Sequence, residues 1–294
     1  MAPARYRVLH LIHSQQRRGA EVFAVQLASR LEEKGLFQNG LCSLYRNGDS
    51  SLPVGELPVY RLGGQSGVFH KLGLDPQLVS RLWGTLRRFR PHILIAHGSD
   101  TLKYAACAGF FYRNVATIYR NIGTSSMWAH SAFKVNLNRI FLGQVDAVVS
   151  VSEYTRQDFI NVYQLPQERV ALIPNGVDTS DFDNCARDLV RTQVRQELRL
   201  SPTDTVLISV GSLSAEKGHT GLLPVVRDLQ RAGLVDHLVL VGDGPLRQGL
   251  EQQTGQLGLS QRALFLGWQS DIARVLAAAD FLSCPARQRV CRRS

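Results

Sequence analysis

The sequence predicts an α/β protein built from two doubly wound, parallel-sheet domains. Three observations carry the prediction. Short Val/Ile/Leu-rich runs alternate with helical stretches, as in repeated strand–helix–strand units. The alternation stops at the turn Pro174-Asn175-Gly176 and an acidic, irregular stretch, Asp178–Asn184, then starts again. The chain has 294 residues, 44% of them hydrophobic, which exceeds what one core usually serves. The domains are set at 1–178 and 179–294, with the second incomplete.

In the first domain the strands are expected at Arg7–His13, Asn39–Leu44, Val59–Leu62, Ile93–Ala96, Ala116–Arg120, Ala147–Val151 and Val170–Ile173. Most lack polar alternation, as strands covered on both faces do. Helices are expected at Ala20–Lys34, Pro76–Phe89, Thr101–Ala108, Ala132–Phe141 and Glu153–Gln164. In the first of these, Val22, Val25, Leu27, Ala28 and Leu31 form one apolar stripe at helical spacing. The second domain opens with a helix, Arg187–Leu200. It continues with strands at Val206–Val210, His237–Val241, Ala263–Leu266 and Phe281–Ser283. The helices between them are Thr220–Ala232, Pro245–Leu257 and Ile272–Ala279. Four strands are fewer than the six of a common nucleotide-binding sheet.

Composition excludes several classes. No apolar run approaches the roughly 18 residues of a membrane helix. The start, MAPARYRVLHLIHS, reads as a first strand and not as a signal peptide, so the expected compartment is the cytoplasm. Cys42, Cys107, Cys185, Cys284 and Cys291 form no CxxC pair, which argues against a zinc site and a disulfide framework. No metal is expected. The net charge of +10 is uneven: 20 basic against 12 acidic residues up to Ser180, and 14 against 12 beyond it. Arg287, Arg289, Arg292 and Arg293 in the tail account for the second half's excess. The densest patch, Arg81, Arg87, Arg88 and Arg90, shares a helix with Leu78, Leu82, Trp83, Leu86 and Phe89. It reads as a solvated face, or as contact with an anionic membrane or a phosphorylated acceptor. Nucleic acid is not expected as a partner, because no interleaved aromatic and basic motif occurs.

Four loops carry chemistry. Arg17-Arg18-Gly19-Ala20-Glu21 joins a strand to a helix, where exposed N–H groups attract anions, and Glu21 complements the helix dipole. Val210–Gly218 (VGSLSAEKG) follows a strand and brings Lys217 to a glycine-containing loop, as a phosphate requires. It lacks Walker spacing. Gly242-Asp243-Gly244-Pro245 follows another strand; its glycines allow close backbone approach and Pro245 suits a first helical position. It lacks the third glycine of the dinucleotide fingerprint. His97, in Ile95-Ala96-His97-Gly98-Ser99, ends a buried strand where open α/β sheets bind ligands. His10, His13 and His92 carry less weight, lying in or before strands.

In order, these motifs resemble a GT-B fold glycosyltransferase of the retaining family four. RRGAE resembles the family's GGAE-type loop; VDAVVSVSEYTRQDF and RVALIPNGVDTSDF resemble the end of its first domain. VGSLSAEKG resembles its VGRLxxEKG loop, and LVLVGDGPLRQGLE and LFLGWQSDIARVLAAADFL the stretches that follow. The resemblance implies two Rossmann-like domains facing across a cleft, and sugar transfer with retention from a UDP- or GDP-linked donor to a glycan, lipid-linked or phosphorylated acceptor. The nucleotide-sugar is a co-substrate, and no cofactor is implied. Lys217 and Ser212 would meet the donor diphosphate, Gly19 would let the first loop approach it, and Gly242, Gly244 and Pro245 would shape the nucleoside pocket. His97 would sit beside the transferred sugar as the catalytic-site residue. Glu21, Arg120 and Asn121 would lie on the acceptor side.

The sequence departs from the family pattern in three places. Ser212 stands where the family has Arg, and Arg18 where it has Gly. After ADFLSCPARQ the family continues with an EGFG-type loop and a second Glu on a helix, whereas this chain reads RVCRRS, as if out of frame or spliced. The expectation is a family member with an impaired donor half. The alternatives are a non-catalytic binding module, or another enzyme on the same architecture such as a nucleotide-sugar epimerase.

Overall fold

The computed structural model describes residues 5–46, 52–64, 74–129, 131–176 and 187–285. The acidic stretch after the turn and the arginine tail lie outside them. The chain divides into two compact units, Met1–Gly176 and Val177–Ser294.

The first unit contains strands β1 (Tyr6–Ile12), β2 (Phe37–Tyr45), β3 (Val59–Gly64), β4 (Ile93–His97), β5 (Ala116–Asn121), β6 (Ala147–Ser150) and β7 (Val170–Leu172). Helices α1 (Gly19–Glu33), α2 (Pro76–Phe89), α3 (Ser99–Phe111), α4 (Ala132–Leu142) and α5 (Glu153–Tyr163) connect them. All seven strands pair in parallel, in the order β3-β2-β1-β4-β5-β6-β7. The order reverses between β1 and β4, and such a reversal opens a crevice at the carboxyl ends of the strands. Alternation along the strands separates two cores. Leu9, Leu11, Leu94, Ala96 and Tyr119 pack with the apolar faces of α2 and α3. Ile12 and Leu41 pack with Ala24 of α1 on the other face.

Helix α2 starts on an Asp75 cap with Pro76 in its first turn and ends at Arg90 in the left-handed region. Leu78, Leu82, Leu86 and Phe89 are buried in the core. Its apolar stripe therefore belongs to the core, and the arginines stand at the surface without it. Arg81 donates to the Leu62 carbonyl at 2.6 Å, and Arg87 lies 4.8 Å from the Trp83 ring centroid.

The second unit contains α6 (Arg187–Glu197), α7 (His219–Arg231), α8 (Arg247–Gln256) and α9 (Ile272–Leu276), with β8 (Val206–Val210), β9 (His237–Val241), β10 (Ala263–Gly267) and β11 (Phe281–Ser283). Its four parallel strands run in the order β10-β9-β8-β11. Pro245 falls in the turn before α8 and not at its first position, because Leu246 occupies the cap. One guanidinium ties this unit together. Arg195, buried on α6, donates to the carbonyls of Ala278, Ser201, Pro202 and Asp204 and to Asp280 Oδ2 at 2.8 Å. Asp280 also accepts from Arg191 and from the Val206 N–H. Burial works against its charge, but the Val206 N–H and the two arginines outweigh it and hold the carboxyl below its usual range.

Candidate functional site

In the first unit, four side chains from adjacent strands meet on the α1 face of the sheet. Asn39 comes from β2, His10 from β1, His97 from β4 and Arg120 from β5. His10 Nε2 lies 3.1 Å from Asn39 Oδ1, and His10 Nδ1 lies 3.2 Å from His97 Nε2. Arg120 Nη1 lies 3.4 Å from His97 Nδ1, and Arg120 Nη2 donates to Asn175 Oδ1 at 2.6 Å. Phe23 of α1 covers the guanidinium at 3.7 Å.

The chemistry of one end fixes the protons along the row. Arginine only donates, so His97 Nδ1 accepts and its Nε2 carries the hydrogen. That hydrogen goes to His10 Nδ1, so His10 Nε2 carries the next one and gives it to the Asn39 carbonyl oxygen. Both imidazoles are neutral. Burial lowers the His10 pKa to about 4, against the Asn39 hydrogen bond that raises it. Burial, then the neighbouring His10 and Arg120, hold His97 well below its ordinary value. Burial also pushes Arg120 down to about 10.

Beside the row, the loop after β1 buries Glu21 and Ser14. Burial raises the Glu21 pKa, against its own N–H, Arg18, His13 and the Ser14 N–H. Among the described residues, Glu21 Oε2, Ser14 Oγ and Asn39 Nδ2 have no hydrogen-bond partner, so polar capacity remains here that the described fold does not use. Gly19 opens α1, and a methyl group there would meet nothing within 4 Å. Asn121 follows Arg120 in β5 and so points to the opposite face. Its amide donates to Ser150 Oγ and to the Thr155 carbonyl, both at 3.3 Å.

In the second unit, the loops after β8 and β9 lie backbone to backbone. Gly211 N–H donates to the Val241 carbonyl at 2.9 Å and Leu213 N–H to the Asp243 carbonyl at 3.0 Å. Gly242 N–H donates to the Gly267 carbonyl at 2.7 Å. A Cβ on Gly242, whose φ is +132°, would fall 2.0 Å from Gly211 O, and one on Gly244 would fall 2.6 Å from Leu213 O. These glycines are demanded by the packing of the two loops. Ser212 Oγ lies 3.1 Å from Ser214 Oγ. Lys217, exposed in a short 3-10 turn, lays its stem over Gly211, with Cδ 3.7 Å from where a Gly211 Cβ would stand. Beyond it, His219 is buried at the start of α7, and neither ring nitrogen has a hydrogen-bond partner among the described residues.

Of the expected residues, His97, Arg120, Gly19 and Glu21 thus gather at the carboxyl edge of the first sheet. Ser212, Lys217, Gly242, Gly244 and Pro245 gather at that of the second. His10, Asn39, Phe23 and Asn175 join the first group without having been singled out. The signal for two of them was present: His10 in YRVLHLI and Asn39 in FQNGLCSLY are polar residues inside otherwise buried strands, and such residues must find partners.

Comparison with known proteins follows this division. The sequence profile of Glycosyltransferase Family 4 matches residues 17–181, and that of Glycosyl transferases group 1 matches residues 190–288. The lipopolysaccharide core biosynthesis glycosyltransferase LpsD of Rhizobium meliloti is 28% identical over 93% of this chain and 70% of its own length. A putative glycosyltransferase of Bacillus subtilis, EpsF, is 24% identical over 97% of this chain and 74% of its own. Among solved structures, HepE of Anabaena in complex with UDP-glucose superposes with a TM-score of 0.76 at 22% identity, over 94% of this chain and 72% of HepE.

Proposed function

The chain belongs to glycosyltransferase family 4, and from that premise we propose that it moves a sugar from a UDP- or GDP-linked donor to a glycan, lipid-linked or phosphorylated acceptor, with retention at the anomeric carbon. The observation that carries this reading is the second unit's loop pair, where Lys217 sits over Gly211 beside two loops of bare backbone. A departing nucleoside diphosphate gathers negative charge, and a preset ammonium and N–H groups stabilise it without a metal. HepE, of the same architecture, binds UDP and UDP-glucose. Ser212 adds a hydroxyl, and Gly242, Gly244 and Pro245 outline the nucleoside side.

In this reading the first unit handles the acceptor and the transferred sugar. Gly19 is free of any steric demand from the fold, so the close approach of a ligand is the reason for a glycine there. Glu21 accepts an acceptor hydroxyl on its unpartnered oxygen. His97 meets the sugar by exchanging Arg120, its longest contact, for a substrate hydroxyl. Asn121 contributes through the backbone at the end of β5. The protein works in the cytoplasm, at the inner face of a membrane when its acceptor is lipid-linked.

Binding of UDP, GDP and their sugars to the 294-residue chain, followed by calorimetry, tests the donor assignment. One nucleoside diphosphate binds, and Lys217→Ala weakens it about tenfold or more, as expected for a charge-assisted phosphate contact. No binding of any of them sinks the assignment. Nucleotide binding without turnover on any acceptor, or turnover far below that of LpsD-like relatives, supports the impaired or non-catalytic alternative.

A further inference from the structure

We propose that His13, paired with Asp100, seats the acceptor, and that the part it seats is a neutral sugar ring bearing hydroxyls rather than a phosphate. This rests on the reading of the first unit as the acceptor side and names the chemistry that side takes. The crevice of the first sheet lies where the strand order reverses between β1 and β4. His13 is the residue after β1, and Asp100 stands in the first turn of α3, just after β4. His13 Nδ1 lies 3.2 Å from Asp100 Oδ2, so the pair spans that crevice from one strand end to the other. The His13 side chain is 18% exposed and that of Asp100 49%, which leaves the pair open to a ligand. Behind it, the His13 ring packs 4.8 Å from the Tyr45 ring, and the Tyr45 N–H donates to the His13 carbonyl at 2.9 Å. The Tyr45 and Tyr104 hydroxyls lie 2.9 Å apart, and Tyr104 accepts from the Asp75 N–H. A side chain backed in this way meets a ligand in one preset geometry.

Charge selects the ligand. Burial raises the Glu21 pKa, and Arg18 and His13 are among the groups that oppose it, so Glu21 stands within reach of both. Burial lowers the pKa of Lys103, on α3, and Asp100 opposes that shift. Each carboxyl thus has a cation of its own, Glu21 with Arg18 and Asp100 with Lys103, and His13 is close to both carboxyls. A phosphate brought against His13 would meet like charge from these two groups. A hydroxyl both donates and accepts, and suits a site where the charges are already matched. Capacity for hydroxyls is present on both sides of the ledger. Glu21 Oε2 and Ser14 Oγ can accept, Gln15 Nε2 can donate, and none of the three has a hydrogen-bond partner among the described residues. Glu21, Ser14 and Gln15 are all more than nine-tenths buried. A lipid or phosphate farther along the acceptor lies outside this contact.

Saturation-transfer NMR on the full chain tests the proposal, with methyl gluco-, galacto- and mannopyranosides as probes and the matching hexose 6-phosphates beside them. At least one neutral glycoside binds, and its 6-phosphate binds no more tightly. His13→Gln weakens the glycoside about tenfold or more, Asp100→Asn does so to a similar degree, and Asp100→Glu restores most of the loss. The imidazole Cε1–H signal that disappears in His13→Gln shifts when the parent is titrated with the glycoside, which a purely structural role would not produce. Should His13→Gln fail to fold, Asp100→Asn, at a half-exposed side chain, decides alone. A parent that binds UDP or GDP but no neutral glycoside overturns the proposal and leaves the donor assignment standing. Glycoside binding that Asp100→Asn leaves within about twofold also overturns it, as does a hexose phosphate that binds more tightly than every neutral glycoside. Glycoside binding through His13 in a chain that binds no nucleotide supports the proposal and sinks the donor assignment alone.

Discussion

Across its sheet the first unit sets a row of buried side chains that runs from the carboxyl ends of β4 and β5 to the amino half of β2, whereas the second unit sets backbone at its edge. Asn39, His10, His97 and Arg120 span four strands of the first unit, each holding the next through a polar side-chain atom. Gly211, Gly242 and Gly244 form the second edge by having no side chain at all. The glycines of the two edges therefore have different meanings. Gly242 and Gly244 are required by the fold, since any Cβ would strike a carbonyl. Gly19 is not, since a Cβ there would meet nothing. A glycine's role is read from what surrounds it rather than from the motif that contains it.

The largest effect that tests this contrast falls on the second unit, whose segments converge on one buried cation. Arg195→Met leaves four carbonyls and Asp280 short of a donor and should cost about 3–5 kcal/mol, measured by urea unfolding. Gly242→Ala comes next. Its Cβ forces the Gly211 carbonyl aside at a positive φ, and about 3 kcal/mol should be lost. If Gly242→Ala is as stable as the parent, the backbone-built description of this edge is wrong.

The first edge should answer to pH instead. His10 and His97 titrate near 6.5 in the unfolded chain and lower in the fold. As pH falls below about 6.5 the unfolded state takes up protons that the folded state refuses, so stability drops with acidity until the folded His10 titrates at about 4. The slope is about 1 kcal/mol per pH unit for each histidine. Urea midpoints between pH 7 and pH 5 measure it, and His10→Gln should flatten it. A pH-independent midpoint would mean that the imidazoles are not buried and neutral. The smallest effect is Gly249→Ala, in the exposed first turn of α8 with open space around it, which should stabilise by about 0.4–1 kcal/mol.

Much of the fold was legible in the sequence because its signals are local. Buried parallel strands read as unbroken apolar runs, and β8, β9 and β11 fall on the residues read as strands. The two edges were legible as loops at strand ends. What could not be read is pairing across the sheet. His10 and His97 stand far apart in the chain, and only the β1–β4 neighbourhood brings them together. Arg195 looked like any arginine on an amphipathic helix, since its five acceptors come from other segments. The amphipathic helix α2 shows the same limit: its apolar stripe was legible, but that the core takes it is seen only in the fold.

The orientation of the row from Arg120 to Asn39 limits what it can conduct. Every hydrogen in it points the same way, from a group that cannot accept to an oxygen that cannot donate. A chain of imidazoles relays protons only if its hydrogens can all flip, and neither terminus here permits the flip. The row is an insulator that holds a ring in place, and it carries no proton current across the sheet.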